Sequence, residues 1–298
     1  MQNEIDHRKR STARPRTRIL VDGGDPEETR AIKDLLGFVD GQTTNPSLIA
    51  KNPEIVDLVH AGHKLTEQQE ADEYRKIVRA ISPLVGDAGV SIEVLGDLKT
   101  TAERMYQQGR DMFSWIPNAY VKYPCTLEGL KAAERSVREG IRVNMTLCFS
   151  QEQAAAVYGA TRGTTAPAYV SPFIGRLDDI GQNGVDLVSN IKRMYARGDG
   201  HVQVLAASIR SLAHLLCCFS IDADLVTVPA KILREWADAG LPMPDATFSY
   251  EPKGTRIDYR EIDLEQPWQR FNIEHELTTK GVEKFAADYR ATLYPKAS

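Results

Sequence analysis

Short β-rich runs recur eight times along the chain, and a stretch of helical length follows each of them. Strands that alternate with helices are joined by crossover connections, which predicts a parallel sheet. Eight such units favour closure of the sheet into a (β/α)8 barrel, the TIM-barrel architecture of the α/β class. The absence of Gly-x-Gly-x-x-Gly after the first run argues against a dinucleotide-binding sheet. The predicted strands are residues 18–24, 38–45, 89–94, 119–125, 142–149, 169–175, 202–208 and 225–229.

Capping signals mark several helix ends. The run Asp25-Pro26-Glu27-Glu28 combines an N-cap residue, a first-turn proline and the glutamate of a capping box. Ser150, with Gln153 three residues later, repeats the capping box. Apolar residues between Leu127 and Ile141 keep the spacing of a helix face, and Gly140 stands where a C-cap is expected.

The predicted barrel occupies residues 18–240, and both flanks differ from it in composition. Residues 1–17 form a basic arm, which we expect to be solvated and flexible and not to bind nucleic acid, because the whole chain carries a net charge of −4. Residues 241–298 hold an irregular stretch rich in Pro, Asp and aromatic residues, followed by a helix from His275 to Leu293. We expect this helix to pack on the barrel or on a neighbouring subunit of a homo-oligomer. Its apolar face consists of Leu277, Val282, Phe285, Ala286 and Tyr289.

Composition argues against several other classes of protein. No apolar run approaches the roughly 20 residues that a membrane-spanning helix needs, so we expect no membrane partner. The four cysteines show no Cys-x-x-Cys spacing, which predicts free thiols in a reducing compartment, here the cytoplasm. The six histidines form no ligand-like cluster, so we expect no metal site.

Polar residues interrupt strands that should be apolar, because the strands of a parallel barrel are covered on both faces. Side chains alternate between the two faces of a strand. One set is nearly all apolar and is expected to face the helices: Ile19, Val21, Ile92, Val94, Val121, Tyr123, Val143, Met145, Leu147, Val170 and Leu205. The other set is expected to face the lumen near the carboxyl ends of seven strands, where barrel active sites are built. It consists of Asp22, Asn45, Ser91, Glu93, Lys122, Asn144, Thr146, Ser171 and Ser208.

Lys122 is the most informative residue of this polar set. Its apolar sequence neighbours predict a desolvated side chain, and desolvation favours the neutral amine. A neutral amine attacks a carbonyl carbon and forms a Schiff base, whereas an ammonium cannot. Asp22 and Glu93 are then the natural proton carriers, directly or through a water. The alternative is a buried ion network without chemistry, which the cost of burying so many polar groups disfavours.

Two arginines indicate an anionic substrate. Arg176 follows the sixth predicted strand and Arg210 follows the seventh, where barrels often bind phosphate. Their bidentate guanidinium groups suit a phosphate, or another anion such as a sulfonate. The alternative is a pair of surface arginines in salt bridges.

These residues lie in linked motifs that span roughly residues 18–240. The motifs are Val21-Asp22, Thr43-Thr44-Asn45-Pro46-Ser47-Leu48, Ser91-Ile92-Glu93-Val94, Val121-Lys122-Tyr123-Pro124, Asn144-Met145-Thr146-Leu147, Ser171-Pro172-Phe173 with Gly175-Arg176, and Ala207-Ser208 with Arg210. In this combination the chain resembles the transaldolase family. The resemblance implies transfer of a dihydroxyacetone unit from a ketose phosphate, such as fructose 6-phosphate or sedoheptulose 7-phosphate, to an aldose phosphate in the pentose phosphate pathway. It also implies that neither a metal nor an organic cofactor is needed.

The resemblance further implies a role for each residue. Lys122 would be the Schiff-base lysine, Asp22 an acid/base, and Glu93 an acid/base acting through a water. The dihydroxyacetone part would contact Asn45, Asn144, Thr146 and Ser171, and the phosphate would contact Arg176, Ser208 and Arg210. Thr43 and Phe173 complete the expected substrate-binding set.

Two alternatives remain open at this point. The first is an aldolase that releases free dihydroxyacetone, because the chain also resembles the fructose-6-phosphate aldolase branch in Leu177-Asp178-Asp179 and in its C-terminal helix. In that branch the positions of Phe173 and Glu93 resemble a tyrosine and a glutamine, so this chain has the transferase pair. The second is a non-catalytic sugar-phosphate binder, which would have no use for a desolvated lysine.

Overall fold

The structure, a computed structural model, describes residues 14–62, 64–252 and 254–293. Its eight strands pair in parallel and in sequence order, and β8 pairs with β1 to close the barrel. The predicted (β/α)8 fold is therefore confirmed. The strands are β1 (Arg18–Asp22), β2 (Gly41–Thr43), β3 (Gly89–Glu93), β4 (Ala119–Pro124), β5 (Val143–Cys148), β6 (Ala168–Pro172), β7 (Val202–Ala206) and β8 (Leu225–Val228).

Helices connect and cover the strands, and α12 follows the last barrel unit as the predicted C-terminal helix. The helices are α1 (Pro26–Leu36), α2 (Pro46–Ile49), α3 (Pro53–His60), α4 (Glu67–Ile81), α5 (Ala102–Phe113), α6 (Leu127–Arg138), α7 (Gln151–Ala160), α8 (Ile174–Asp178), α9 (Gly184–Tyr195), α10 (Leu212–Ser220), α11 (Ala230–Asp238) and α12 (Glu276–Thr292). Short 3-10 helices span Ser82–Leu84 and Trp268–Arg270. Among the described residues, none of the helices has the length and apolar character needed to cross a bilayer.

Every predicted strand runs past the observed carboxyl end, by one to three residues. At three of them a local feature of the backbone marks where the strand stops. After β2, Asn45 leaves the sheet and N-caps α2, its Oδ1 accepting the N–H of Leu48 at 3.0 Å. After β6, α8 begins at Ile174, inside the predicted strand. After β7, Ser208 adopts the left-handed conformation with φ 61°, which turns the backbone away from the extended course of the strand.

The predicted N-caps and the glycine after α6 are present, but neither of the two predicted capping boxes is completed in the described helices. Asp25 accepts the N–H of Glu27 at the start of α1, and Gly140 has φ 76° just after α6. Ser150 caps α7, but the side chain of Gln153 does not complete a capping box with it. The Oε1 of Gln153 accepts the N–H of Phe149, and its Nε2 donates to Thr278 Oγ1 at 2.8 Å. The buried Gln153 therefore ties the C-terminal segment to the barrel.

The two faces of the strands separate as predicted, except at Leu205. The other members of the predicted apolar set belong to the main core that includes the helices. Leu205 instead joins a second cluster, where Tyr120 and Tyr169 stack with ring centroids 4.2 Å apart. Leu20 and Tyr120 of this cluster precede Asp22 and Lys122 by two residues and therefore share their face of the strand. We interpret the cluster as the floor of the lumen. Leu205 was assigned to the wrong face because counting back from Ser208 ignores the left-handed turn. The cluster comprises Leu20, Ala88, Tyr120, Tyr169, Leu205 and Leu225.

The C-terminal helix α12 packs on the barrel of its own chain. His275 caps its N-terminus, so its bounds agree with the prediction to one residue at each end. Thr278 donates its hydroxyl to the carbonyl of Leu147 on β5, the strand next to the lysine-bearing β4. At the other end of the chain, Arg14 pairs with Asp40 and lies 4.3 Å over the ring of Phe38. Residues 1–13 of the predicted arm lie outside the described residues.

Candidate active site

A cavity of about 310 Å³ opens at the carboxyl ends of the strands. Ten of the twelve predicted site residues line it, although they come from distant parts of the sequence. A larger groove of about 800 Å³ lies between α4, α5 and α12 and contains none of them. The residues brought together are Asp22, Thr43, Asn45, Lys122, Thr146, Ser171, Phe173, Arg176, Ser208 and Arg210.

Lys122 lies on β4 and is 3% exposed, with its Nζ beneath the cavity mouth. The Nζ donates to the carbonyl of Thr44 at 3.1 Å and lies 3.0 Å from the Oε2 of Glu93. The side chain is buried as predicted, but its immediate surroundings are polar. Its sequence neighbour Tyr123 points to the opposite face, where its hydroxyl meets Ser136 on α6. The environment of the amine is thus set by β2 and β3 and not by the residues next to Lys122 in the sequence.

Two carboxylates stand near the amine, and their pKa values move in the same direction. Glu93 is 3% exposed, and burial raises the pKa of its carboxyl although Lys122 and Arg176 oppose the shift. Burial also raises the pKa of Asp22, against the opposing effects of Lys122 and of the Thr43 hydroxyl. Both carboxylates are therefore stronger bases than exposed ones, and each can take up a proton at a reacting centre.

A hydrogen-bonded layer lies next to these groups. Asn144 is fully buried, donates to the hydroxyl of Ser91 at 3.0 Å and accepts from that of Ser171 at 2.7 Å. It does not line the cavity itself, whereas Ser171 does. The buried hydroxyl of Thr146 lines the cavity and has no hydrogen-bond partner in the described parts of the chain. Thr146 therefore keeps its full hydrogen-bonding capacity for a bound molecule.

The sequence analysis missed several residues of the cavity wall. Thr227 on β8 contacts the hydroxyl of Thr43, which donates to Asp22 at 2.8 Å. Thr227 carries the same signal as the predicted set, a polar residue in an apolar strand, so it could have been found. Lys284 and Phe285 belong to α12, and no barrel pattern points to them. The missed residues are Ser47, Leu48, Lys51, Ala207, Thr227, Lys284 and Phe285.

Arg176 presents a half-buried cation to the cavity. Its guanidinium lies 5.1 Å from the ring centre of Phe173 and 5.2 Å from that of Phe285. No carboxylate of the described residues lies within ion-pair distance of it. Burial lowers the pKa of Arg176, and the neighbouring Arg210 adds to this effect. A bound anion would relieve both unfavourable effects.

Arg210 is held by two adjacent carboxylates. Asp179 pairs with its guanidinium at 2.8 Å. Asp178 lies 2.9 Å from Nε2 of His214, whose Nδ1 accepts the backbone N–H of Arg210. A Cβ at Gly175 would stand 2.4 Å from Cγ of Arg210, so only glycine lets the two arginine-bearing loops approach this closely.

Within the described residues, no group of three or more His, Cys, Asp or Glu side chains is placed to hold a metal ion. The chemistry available at this site is that of the buried Lys122 amine, two basic carboxylates, hydroxyls, a pair of arginines and the further lysines Lys51 and Lys284. Such a set can form and break bonds next to a carbonyl group while it binds an anion.

Comparison with known proteins agrees with this arrangement. The family model described as Transaldolase/Fructose-6-phosphate aldolase matches residues 19–295. A probable transaldolase of Bacteroides thetaiotaomicron is 41% identical over 219 residues, which cover 73% of this chain and 88% of that protein. A probable transaldolase of Agathobacter rectalis is 33% identical over 277 residues, covering 92% of this chain and 98% of that protein. The chain therefore belongs to the transaldolase/fructose-6-phosphate aldolase family.

Proposed function

We propose that the protein is a transaldolase that carries a dihydroxyacetone unit on Lys122, between a ketose phosphate and an aldose phosphate of the pentose phosphate pathway. The observation that supports this most is the buried Lys122 amine, 3.0 Å from Glu93 at the floor of a cavity that Asp22 also lines. A binding protein gains nothing from burying this ion pair, because its desolvation is costly. An enzyme gains a reactive amine from the same burial.

The first step is formation of the Schiff base. Glu93 takes a proton from the Lys122 ammonium, and the neutral amine attacks the ketose carbonyl carbon, C2. The carbonyl oxygen leaves as water after it has received two protons, one from the nitrogen that has attacked and one returned by Glu93 through a water that Thr146 helps to hold. The product is an iminium ion, which can accept the electron pair of a neighbouring carbon–carbon bond.

The second step is cleavage of the bond between C3 and C4. Asp22 takes the proton of the C4 hydroxyl, C4 becomes an aldehyde, and the electron pair of the bond moves into the iminium to form an enamine on Lys122. An aldose phosphate then replaces the first aldehyde, and the same steps run in reverse. Asp22 returns its proton to the new hydroxyl, so the protein is regenerated unchanged.

The cations of the mouth favour an anionic substrate. Arg176 and Arg210 suit the phosphate, together with the hydroxyl of Ser208. Lys51 and Lys284 add positive charge to the cavity lining, and the Nζ of Lys284 also pairs with Asp288 at 3.0 Å. The basic residues of the lining outnumber its one carboxylate, Asp22, and a net positive cavity raises the rate at which anions arrive.

Replacing Arg176 or Arg210 with alanine should lower kcat/KM for fructose 6-phosphate by about ten- to a hundredfold, because a charge-assisted bond is worth on the order of 1.5–3 kcal/mol. The value for unphosphorylated fructose should change little. Arg138→Ala is the matched control, because this arginine pairs with Glu134 on the outer surface of α6. Equal losses with both sugars would show that the arginines do not bind the phosphate.

Transfer and release of the three-carbon unit can be separated at Phe173. Release needs a proton donor and an ordered water beside the enamine, and the ring of Phe173 occupies part of the cavity wall. We expect Phe173→Tyr to raise the ratio of free dihydroxyacetone to transferred product several-fold, since the new hydroxyl can orient water and donate a proton. The ratio is measured with fructose 6-phosphate at a fixed concentration of erythrose 4-phosphate.

The control for this experiment is Phe149→Tyr. Phe149 packs edge-on against Phe173 at 5.6 Å but does not line the cavity, so its added hydroxyl should leave the ratio unchanged. A wild-type protein that releases dihydroxyacetone as fast as it transfers it would overturn the proposed transaldolase activity in favour of an aldolase.

A further inference from the structure

Tyr74 contacts the lysine site from outside the barrel. It lies on α4, is fully buried, and packs edge-on against Trp115 with ring centroids 5.9 Å apart. Its hydroxyl is 2.6 Å from Oγ1 of Thr44 and accepts the backbone N–H of Glu93 at 3.0 Å. One hydroxyl on a covering helix thus joins the ends of two neighbouring strands, β2 and β3.

The direction of these hydrogen bonds follows from the donors present. Thr44 donates its hydroxyl proton to the carbonyl of Ser91 at 2.8 Å. That proton is therefore not available to Tyr74, so the phenol donates to Thr44 and accepts from Glu93. Burial raises the pKa of Tyr74 well above its ordinary value, so the phenol keeps its proton throughout the physiological range.

Among the described residues, Thr44 and Glu93 also provide the hydrogen bond and the ion pair of the reactive amine. The carbonyl of Thr44 and the carboxylate of Glu93 lie 3.1 Å and 3.0 Å from Nζ of Lys122. Thr44 directly follows β2, and Glu93 is the last residue of β3. The backbone N–H and the hydroxyl of Thr44 also donate to Ser91 on β3, and Tyr74 adds a direct link between the Thr44 hydroxyl and the N–H of Glu93.

We infer that Tyr74 is a positioning residue, which holds Thr44 and Glu93 so that the Lys122 amine is aimed at the substrate carbonyl and can pass its proton to Glu93. The inference rests on the proposed Schiff-base role of Lys122. Without the phenol, the N–H of Glu93 and the hydroxyl of Thr44 each lose a partner, and both groups can shift relative to Nζ.

The chain offers a matched control for this inference. Tyr123 is equally buried and directly follows Lys122, and its hydroxyl is also hydrogen-bonded, at 2.9 Å to Ser136. That bond lies between β4 and α6 and touches no group that contacts Nζ. Tyr74→Phe and Tyr123→Phe therefore remove the same atom from the same kind of environment.

The experiment measures Schiff-base formation in a single turnover, by borohydride trapping of the full-length protein with fructose 6-phosphate over a range of pH. We expect Tyr74→Phe to slow trapping by about three- to tenfold, the effect of one hydrogen bond of ordinary strength. The pH dependence of the rate should change, because Glu93, the proton acceptor in the proposed step, is no longer held beside Nζ. The charged groups near Nζ are Glu93, Asp22 and Arg176, and none of them is changed. KM should change little, since Tyr74 does not line the cavity.

Tyr123→Phe should keep the wild-type pH profile, whatever stability it loses. Thr44→Val provides a second test should Tyr74→Phe fold poorly. It should shift the profile in the same direction, and combining the two substitutions should add little, because both break one network. A wild-type rate and profile in Tyr74→Phe, or equal slowing in both tyrosine variants, would overturn the positioning role alone. A wild-type protein that borohydride does not trap at Lys122 would overturn the proposed function and this inference together.

Discussion

Lys122→Met is expected to abolish turnover and borohydride labelling together. Loss of the nucleophile in a covalent mechanism lowers kcat on the order of 10⁶-fold, because no remaining group can form the intermediate. The substitution keeps the length of the side chain but removes the amine that contacts Thr44 and Glu93. Mass spectrometry of the trapped wild-type protein should place the sugar adduct on Lys122.

Two further measurements make this result specific. The double variant Lys122→Met, Glu93→Gln removes the unpaired buried carboxylate, so it should be folded and inactive even where the single variant is unstable. Lys131→Met changes an exposed lysine that pairs with Glu128 on α6 and should keep full activity. An adduct on Lys51 or Lys284, the other lysines of the cavity, would refute the assignment of the nucleophile.

Asp22→Asn should lower the rate of carbon–carbon cleavage by about 10²- to 10⁴-fold, the usual contribution of a general base. Lys122 and Glu93 remain in contact in this variant, so Schiff-base trapping should persist. In the wild type, burial raises the pKa of Asp22, so the reactive carboxylate is lost as the pH falls through a value higher than that of an exposed aspartate. The acidic limb of kcat/KM should lie at correspondingly higher pH.

Asp25→Asn is the control for this substitution. Asp25 caps α1 three residues after Asp22, and asparagine is an equally good N-cap, so the fold and the rate should be preserved. If the rates of borohydride trapping and of carbon–carbon cleavage both fall in Asp22→Asn, the residue acts in Schiff-base formation. If Asp22→Asn cleaves the bond at the wild-type rate, Asp22 is not the base and Glu93 remains the candidate.

The barrel was predictable because strand–helix alternation is a local property that the sequence shows directly. The polar set was predictable for the same reason, since two-residue periodicity assigns each side chain to one face of its strand. The prediction went wrong where the backbone leaves that period. Because the backbone turns at Ser208, Leu205 was assigned to the helix-facing side although it faces the lumen. The N-cap at Asn45 ends β2 earlier than predicted.

The sequence alone determined the closed eight-unit fold, the strand that carries Lys122, and the end of the barrel where the polar residues gather. These features depend on periodicity and on the burial of polar groups, which neighbouring residues define. The tertiary structure decided which groups touch the amine, that α12 supplies Lys284 and Phe285 to the cavity, and that Tyr74 reaches the site from α4. These contacts join residues that are far apart in the chain. Their distances depend on how helices pack against the barrel, and no local pattern in the sequence encodes that packing.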